Sequence, residues 1–318
     1  FTGFGKNAKN ILRHLHKTGK YEIIELANGL APNDPKIQKL TPWKVINSLP
    51  SPEKIAEWTQ SKDKERQMGY GAAMIDEVIK NEKPDIYIGA EDIWAFNTYW
   101  DKIWWNKISC AVWTTLDSLP LLPAAVEAAP KIKNYFTWAS FAEKEFKRLG
   151  INHTRTLRGS LETEDFYPLP SNLKAQLRQK HKLPPIGKSF IIGFVFRNQL
   201  RKSVPNLLEG FKKFKELNPL SNAKLLLHTN WSEGWDIPRF LKDYSINPAD
   251  VLTTYYCKRC REYEIKPFHG QNVDCRFCGS KKTQETTNAG NGISEEQLNE
   301  VYNLMDVYCH PFTSGGQE

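Results

Sequence analysis

Residues 190–214 have the sequence FIIGFVFRNQLRKSVPNLLEGFKKF, and this stretch decides the fold class. Its first seven residues are almost all apolar, as in a strand that is buried on both faces of a parallel sheet. From Leu207 to Phe214, apolar residues recur at helical spacing. A buried strand, a polar turn and an amphipathic helix in this order predict an α/β protein.

The same alternation of apolar strand and amphipathic helix recurs along the rest of the chain. Further strands are predicted at residues 21–27, 86–89, 108–114, 134–138, 154–157, 225–228, 251–255 and 307–309, with helical patterns at 8–15, 74–79, 141–149 and 298–305. Residues 28–52 contain five prolines, so we expect this segment to be mostly loop. The pattern predicts two tandem Rossmann-like domains, each with a doubly wound parallel sheet.

Proline-rich segments at residues 167–170 (YPLP) and 183–185 (LPP) are typical of a domain boundary. We therefore expect an N-terminal domain at residues 1–170 and a C-terminal domain at residues 171–318, the latter interrupted by an insertion at residues 255–283. The chain begins at Phe1 without a methionine, and its last residues are Gly-Gly-Gln-Glu. We expect the first strand of the N-terminal domain and the end of the C-terminal domain to lie outside this sequence.

Composition excludes several classes of protein. Of 318 residues, 40% are hydrophobic and 25% are charged, as in a globular chain, which rules out collagen-like and disordered proteins. No apolar run approaches the roughly 20 residues of a membrane span, so no transmembrane segment is predicted. Lys and Arg number 44 against 36 acidic residues, a net charge of +8, which favours anionic partners.

Four of the six cysteines form two C-x2-C pairs separated by fourteen residues. This arrangement resembles the spacing of zinc ribbons, in which four thiolates surround a structural Zn²⁺ and leave no open coordination position. The alternative is two disulfides in a secreted protein. We favour zinc and a cytoplasmic location, because the sequence shows no secretory signal and the other two cysteines lie in apolar strands. The predicted ligands are Cys257, Cys260, Cys275 and Cys278.

The lobe around these cysteines is basic. Residues 257–282 contain seven Lys or Arg against three acidic residues, a net charge of +4. Zinc ribbons of this kind could bind nucleic acid, which would make the chain a nucleic-acid-binding protein. The alternative is a structural insertion that packs on the second domain, and the sequence leaves both interpretations open.

A glycine-rich loop, Thr2-Gly3-Phe4-Gly5, directly precedes the first helical pattern. Helix N-termini attract anions, and phosphate is the typical ligand at a loop of this kind. Gly3, Gly5 and Ala8 also fit the G-x-G-x-x-A pattern of dinucleotide-binding proteins, with Glu25 as the acid that would bind a ribose. An NAD(P)-dependent oxidoreductase is therefore an alternative function.

Arg197 and Lys202 belong to the turn between the 190–196 strand and the following helix. Ligands of open α/β sheets bind at the carboxyl ends of the strands, where this turn is expected. Arginine binds phosphate in a planar, bidentate fashion, and lysine acts as a point charge. The two residues are therefore candidates for binding a diphosphate, although a solvated basic turn would show the same pattern.

With these features the chain resembles the family-4 glycosyltransferases, retaining enzymes of the GT-B fold that use nucleotide-sugar donors. The resemblance covers nearly the whole chain. The matching segments, in order, are the glycine loop at residues 2–5, KPDIY at 83–87, TTLDS at 114–118, WASFA at 138–142, the linker LETEDFYP at 161–168, the R-x4-K pair Arg197 and Lys202, and ISEEQL at 293–298, which leads toward the family's E-x7-E motif.

The resemblance implies a function for several residues. Arg197 and Lys202 would be the catalytic pair that binds the donor diphosphate, and Asp117 would bind the acceptor. Donor contacts are implied for Gly3, Phe4, Gly5, Asn198, Gly315, Gly316 and Glu318. Gly315 occupies the position at which the family has the first glutamate of E-x7-E, and the nearest acid is Glu318. The four-cysteine insertion is not part of the general family pattern.

The expected activity is a retaining hexosyl transfer from a nucleotide-sugar co-substrate. Such a transfer needs preorganised positive charge that stabilises the departing nucleoside diphosphate. The acceptor would be a glycan, or a modified DNA that the basic lobe binds. The two rival functions are the NAD(P)-dependent oxidoreductase and the zinc-ribbon nucleic-acid-binding protein.

Overall fold

The structure is a computed structural model, which describes residues 3–30, 41–105, 107–288 and 290–312. The chain divides into two compact units, the first ending at Leu161 and the second beginning at Glu162. Each unit contains a parallel sheet with helices, so the predicted α/β class with two parallel-sheet units is confirmed. Among the described residues no helix is both long and apolar enough to cross a membrane.

The first unit is a run of short helices and strands. They are α1 (Gly3–Lys17), β1 (Ile24–Ala27), β2 (Lys44–Asn47), α2 (Pro52–Trp58), α3 (Lys62–Gly69), α4 (Ile75–Glu82), β3 (Ile86–Ala90), β4 (Ser109–Thr114), α5 (Pro123–Ala128), β5 (Asn134–Thr137), α6 (Ser140–Arg148) and β6 (Arg155–Thr156). Strands β3, β4, β5 and β6 form a parallel sheet in that order, and β1 pairs with β2 in a separate parallel pair.

Two details of this unit differ from the prediction. Strand β2 lies inside residues 28–52, which were expected to be mostly loop, because the prolines at 42 and 50 flank the strand rather than interrupt it. Strands of a doubly wound parallel sheet, as predicted for this unit, are buried on both faces, but the side chains of Ile86 and Ile88 in β3 are 56% and 58% exposed. Successive residues of a strand face opposite sides, and only the side of Tyr87 packs against the core of this unit.

The second unit contains residues 190–214, the stretch that indicates the α/β class. Its elements are α7 (Ser171–Lys180), β7 (Phe190–Val195), α8 (Val204–Leu217), β8 (Ala223–His228), α9 (Ile237–Asp243), β9 (Val251–Cys257), β10 (Tyr263–Pro267), β11 (Gln284–Thr286), α10 (Glu295–Leu304) and β12 (Val307–Tyr308). Buried side chains of α8 pack against Phe194 of β7 in one apolar core. Gly193 lets β7 lie close to Met305, the residue after α10, because a Cβ at this position would be 2.0 Å from the Met305 sulfur.

The sheet of this unit has the order β10-β9-β8-β7-β12. Strands β9, β8, β7 and β12 are parallel, whereas β10 and β11 run antiparallel to β9. Strand β9 is longer than the part that pairs with β8, and β11 pairs with its remaining end, from Tyr255 to Cys257. The four-cysteine insertion is therefore continuous with the sheet through β9, β10 and β11.

The boundary between the units falls nine residues before the predicted position at residue 170. The backbone N–H of Tyr167 donates to the Asn299 side chain (3.2 Å), and that of Leu169 donates to Asn303 (2.8 Å). Both asparagines belong to α10, so the proline-rich linker packs on the second unit. Prolines mark where the chain is extended, but they do not determine to which unit an extended segment binds.

Candidate functional site

The two predicted cations lie in one connection at the carboxyl end of β7. Arg197 follows the strand by two residues, its side chain is 68% exposed, and its Nη2 lies 3.7 Å from Oε2 of Glu233. Lys202 ends a 3-10 turn at Leu200–Lys202, and its Nζ lies 4.3 Å from the centre of the Phe312 ring. The sequence interpretation is therefore correct in placing both residues between β7 and α8, at the edge of the sheet where α/β proteins bind ligands.

Asn198, between these cations, has a different environment from the one predicted. Its side chain is 2% exposed and bonds to the loop that follows β8, residues 229–235, which we call the β8 loop. Oδ1 accepts from the backbone N–H of Trp235 (3.1 Å), and Nδ2 donates to the carbonyls of Trp235 (2.9 Å) and Glu233. Both amide hydrogens of Asn198 are thus used within the protein. A donor contact, as predicted for Asn198, would have to come from other atoms of this residue.

The β8 loop approaches Asn198 closely because it contains a glycine. Gly234 has φ +69°, in the left-handed region, and a Cβ at this position would lie 2.0 Å from the carbonyl oxygen of Asn198. An L-residue would therefore be both strained and in steric conflict. The indole Nε1 of Trp235 also donates to the carbonyl of Leu200 at 3.0 Å. The loop thus contacts both ends of the connection that carries the two cations.

Aromatic residues at the end of β12 and directly after it lie along the same edge. The Tyr308 hydroxyl donates to the carbonyl of Val195, the last residue of β7, at 3.0 Å. The ring of His310 lies 5.5 Å from that of Tyr308 and 4.5 Å from that of Phe312. Phe312, which contacts Lys202, was not identified from the sequence, where a single aromatic residue after a strand carries no signal of its own. The predicted donor contacts Gly315, Gly316 and Glu318 lie outside the described residues.

In the first unit, Gly3, Phe4 and Gly5 form the first turn of α1 rather than a loop before it. Glycine was taken as a sign of a loop, but the helix begins at Gly3. The Phe4 ring packs edge-on against Trp138 (5.0 Å between ring centres), and Trp138 stacks on Trp113 (4.7 Å). This first turn contains no acidic residue, so the positive end of the helix remains favourable for an anion.

Asp117, the predicted acceptor residue, is exposed and follows β4. Near it lies Asp92, which follows β3 and accepts from the Thr115 hydroxyl at 3.3 Å. Burial raises the pKa of Asp92, and the charge of Asp117 raises it further. Burial also raises the pKa of the adjacent Glu91. Carboxylates at the ends of neighbouring strands can accept hydrogen bonds from hydroxyl groups, and the sequence analysis identified only one of these three acids.

Glu25, the acid required by the dinucleotide interpretation, is engaged within the protein. It lies inside β1, and its Oε2 accepts a hydrogen bond from the indole Nε1 of Trp43 at 2.8 Å. A carboxylate that binds two ribose hydroxyls would have to give up this bond. The geometry at Glu25 therefore disfavours the NAD(P)-dependent alternative.

The four cysteines of the insertion come together as the sequence predicts. Their sulfur atoms all lie within 4.8 Å of one another, with 3.9 Å between Cys257 and Cys278 and 3.7 Å between Cys260 and Cys275. Four thiolates at about 2.3 Å from a tetrahedral zinc ion would be about 3.8 Å apart. A disulfide requires about 2.05 Å between sulfurs, and all four cysteines are free thiols. The cluster therefore fits Zn²⁺ and contradicts the disulfide alternative.

The two C-x2-C pairs have the same backbone geometry. In the first pair, the N–H of Arg261 donates to the carbonyl of Cys257, and in the second, that of Gly279 donates to Cys275, each at 2.9 Å. Arg261 and Gly279, the residues after each pair, have positive φ angles of 62° and 69°. Two equivalent turns therefore present two sulfurs each toward a common centre.

The thiols are unequal in their acidity. Burial acts to raise the pKa of Cys257, but hydrogen bonds, the largest from the Thr283 hydroxyl, lower it to about 6. The Ser280 hydroxyl lowers the pKa of Cys278, whereas burial and the neighbouring thiols raise that of Cys260 to about 12. Four thiolates cannot share so small a volume without a compensating charge, which a divalent cation supplies.

Four of the seven basic residues of the lobe contact an acidic side chain. The ion pairs are Lys258 with Glu285 (2.6 Å), Lys266 with Glu264 (2.7 Å), Lys281 with Asp274 (2.8 Å) and Arg276 with Glu264. Arg259 donates to the Ser280 hydroxyl at 3.2 Å. A nucleic-acid interface needs cations that can reach phosphates. Lys258 and Lys281 are 52% and 83% exposed, and ion pairs of such exposed side chains are weak. The pairing therefore does not decide between the two interpretations of the lobe.

No protein-family model matches the sequence, and no curated protein is significantly similar to it. Among solved structures, the chain is similar to a glycosyltransferase from Rickettsia africae ESF-5, with a TM-score of 0.48 and 13% identity over 84% of this chain and 64% of that one. It is similar to Anabaena HepE in complex with UDP and glucose, with a TM-score of 0.48 and 12% identity over 67% and 55% of the two chains. A third is the catalytic domain of starch synthase IV from Arabidopsis thaliana bound to ADP and acarbose, with a TM-score of 0.40 and 12% identity over 58% and 49%.

The chain thus spans about half to two thirds of the length of these structures.

Proposed function

We propose that the chain is a retaining glycosyltransferase that moves a hexosyl group from a nucleotide-sugar donor to an acceptor hydroxyl. The observation that supports this most is the placement of Arg197 and Lys202 in one connection at the carboxyl end of β7. This pair and the segments around it also resemble the pattern of family-4 glycosyltransferases. That resemblance supports the proposed reaction, glycosyl transfer with retention of configuration.

The proposed role of the cations is to stabilise the departing nucleoside diphosphate. Negative charge develops on the bridging oxygen as the bond to the sugar breaks, and preorganised donors are worth most where charge develops. Arg197 would bind two phosphate oxygens through its planar guanidinium group, and Lys202 would add a second charge. Helix α8 begins directly after them and has no acidic residue in its first turn, so its positive end contributes in the same direction.

Glu233 would act as a temporary partner of Arg197. At 3.7 Å with both side chains partly exposed, this ion pair is weak. A diphosphate carries more negative charge than one carboxylate and would displace it without a large loss. In the absence of donor, Glu233 would remain the partner of the guanidinium group.

The remaining predicted residues have corresponding roles in the proposal. The first turn of α1, with Gly3, Phe4 and Gly5, would contribute donor contacts, and Asp117 would bind an acceptor hydroxyl with Asp92 beside it. Zn²⁺, bound by the four cysteines, would stabilise the fold of the insertion. It would take no part in the reaction, because a four-thiolate site has no open position.

Binding of nucleoside diphosphates tests this proposal. We expect calorimetry with UDP, GDP and ADP to detect binding of at least one of them to the wild-type protein. Arg197→Ala should weaken that binding by about 10- to 100-fold, the value of a charge-assisted bidentate contact of about 1.5–3 kcal/mol. Arg239→Ala is the control, since Arg239 is an equally exposed arginine of the same unit (72%) that pairs with Asp243 in its own helix. Equal binding by both variants would contradict the proposal.

A further inference from the structure

The β8 loop is bonded at one end to the cation connection and at the other to the four-cysteine insertion. The first set of bonds involves Asn198 and Leu200, as described above. On the other side, the backbone N–H of Trp231 donates to the hydroxyl of Thr286 at 3.2 Å. Thr286 is the last residue of β11 and is 1% exposed. The loop is therefore attached by a buried hydrogen bond to the strand that directly follows the insertion.

Gln271 strengthens this attachment. Its Nε2 donates to the Thr286 hydroxyl (2.7 Å) and to the Ser232 hydroxyl (2.9 Å), and its Oε1 accepts from the backbone N–H of Thr286 (2.9 Å). The Trp231 ring also stacks on Phe268, with 4.3 Å between ring centres. Both Gln271 and Phe268 belong to the insertion, so two of its residues, together with Thr286, contact the start of the β8 loop.

The position of β11 depends in turn on the cysteine cluster. Strand β11 has only three residues and pairs with the end of β9 that carries Cys257. Thr283, just before it, contacts the sulfur of Cys257 (3.3 Å) and accepts through its carbonyl from Lys258 (3.0 Å). A three-residue strand is too short to be stable by itself. Its register on β9 is thus fixed by the turns that present the sulfurs.

We propose that the four-cysteine insertion positions the diphosphate-binding cations through Thr286, which is a positioning residue for the donor site. The order of contacts is cysteine cluster, β11, Trp231 and Ser232, Glu233 to Trp235, and then Asn198 and Arg197. This inference rests on the proposed function, since it assigns the insertion a role in donor binding. A metal ion bound by the four cysteines would then stabilise the position of these cations as well as the fold of the lobe.

Thr286→Val tests the inference, because valine keeps the shape of threonine but removes the hydroxyl that accepts from Trp231 and Gln271. We expect the nucleoside diphosphate that binds wild type most tightly among UDP, GDP and ADP to bind this variant at least 5-fold more weakly. Hydrogen exchange of residues 229–235 should be at least 10-fold faster. Thr286→Ser, which keeps the hydroxyl, should restore both values to near those of wild type.

Thr253→Val is the matched control. The Thr253 hydroxyl is also buried in this sheet, but it donates to the carbonyl of Leu227 in β8 rather than to the β8 loop. It should lose comparable stability and retain nucleotide affinity. If Thr286→Val binds nucleotide as wild type does, the inference is wrong. If wild type binds none of the three nucleotides, the proposed function fails, and the inference fails with it.

Removal of the metal from the wild-type protein gives a second measurement that does not depend on a variant that folds. We expect chelation to release zinc, to accelerate hydrogen exchange in residues 229–235 and to weaken nucleotide binding in parallel. Added Zn²⁺ should reverse all three changes. Chelated protein that is free of zinc, yet keeps both the protection of residues 229–235 and its nucleotide affinity, would overturn the inference.

Discussion

Replacement of Gly234 by alanine should separate the β8 loop from the cation connection. The new methyl group would lie 2.0 Å from the carbonyl oxygen and 2.6 Å from the carbonyl carbon of Asn198, both backbone atoms that cannot rotate away. The loop must therefore shift, and the hydrogen bonds from the Asn198 amide to Glu233 and Trp235 would break.

The magnitude follows from two contributions. An L-residue in the left-handed region costs about 1–2 kcal/mol, and two lost hydrogen bonds cost about 1 kcal/mol each. Gly234→Ala should thus lower the free energy of unfolding by about 3–4 kcal/mol. Gly187→Ala is the control, because Gly187 has φ +80° but open space where its Cβ would lie. It should lose only the backbone contribution of about 1–2 kcal/mol.

Thermal unfolding measures this difference. For a unit of this size, 1 kcal/mol shifts Tm by about 2–4 °C, so the Tm of Gly234→Ala should lie about 4–8 °C below that of Gly187→Ala. Nucleoside diphosphate binding should also weaken in Gly234→Ala alone. Equal Tm values for the two variants would refute the reasoning, since they would mean that the close approach of the loop to Asn198 contributes nothing.

Two further predictions concern the second unit. The purified protein should contain about one zinc ion per chain, as measured by mass spectrometry of its metal content. Cys275→Ser should lose this zinc. Cys309→Ser is the control and should retain it, because Cys309 lies outside the cluster. His181 is buried, and burial, with the charges of Lys180 and Arg276, lowers its pKa to about 3. Below about pH 6.5 the unfolded chain therefore binds a proton at this residue that the folded protein does not bind. As the pH is lowered from 6.5 to 3, the free energy of unfolding should fall by up to about 1.4 kcal/mol per pH unit. His181→Asn keeps an acceptor for the backbone N–H of Ile265 but cannot take up a proton in this pH range. Chemical denaturation of this variant should show a smaller fall in the free energy of unfolding as the pH is lowered. A fall as steep as that of wild type would mean that His181 does not cause it.

The elements that the sequence predicts well are those whose signal is local. Strand β7 and helix α8 are adjacent, each has a strong apolar pattern, and their order alone indicates the α/β class. The C-x2-C pairs are equally local, because the spacing within each pair sets the geometry of a turn. Strand β2 was missed because its four residues lie between prolines that usually mark loops.

The contacts that the sequence did not predict join positions that are distant in the chain. Asn198 bonds to Trp235, and Trp231 bonds to Thr286, across separations of 37 and 55 residues. Neither the amide nor the hydroxyl has a pattern that reveals its partner. The ion pairs of the insertion are a further example. Its net charge of +4 can be counted from the sequence, but the pairing of Lys258 with Glu285 and of Arg276 with Glu264 is seen only in the folded structure.

The release of nucleoside diphosphate from a panel of nucleotide sugars, by wild type and by Arg197→Ala, tests the central claim most directly. Wild type should turn over at least one donor, and Arg197→Ala should reduce kcat/KM for that donor by about 100- to 1,000-fold, the effect of removing one preorganised donor from developing charge. Arg239→Ala should leave it unchanged. Full turnover by Arg197→Ala, or no turnover of any donor by wild type, would contradict the claim that this strand end binds the departing diphosphate.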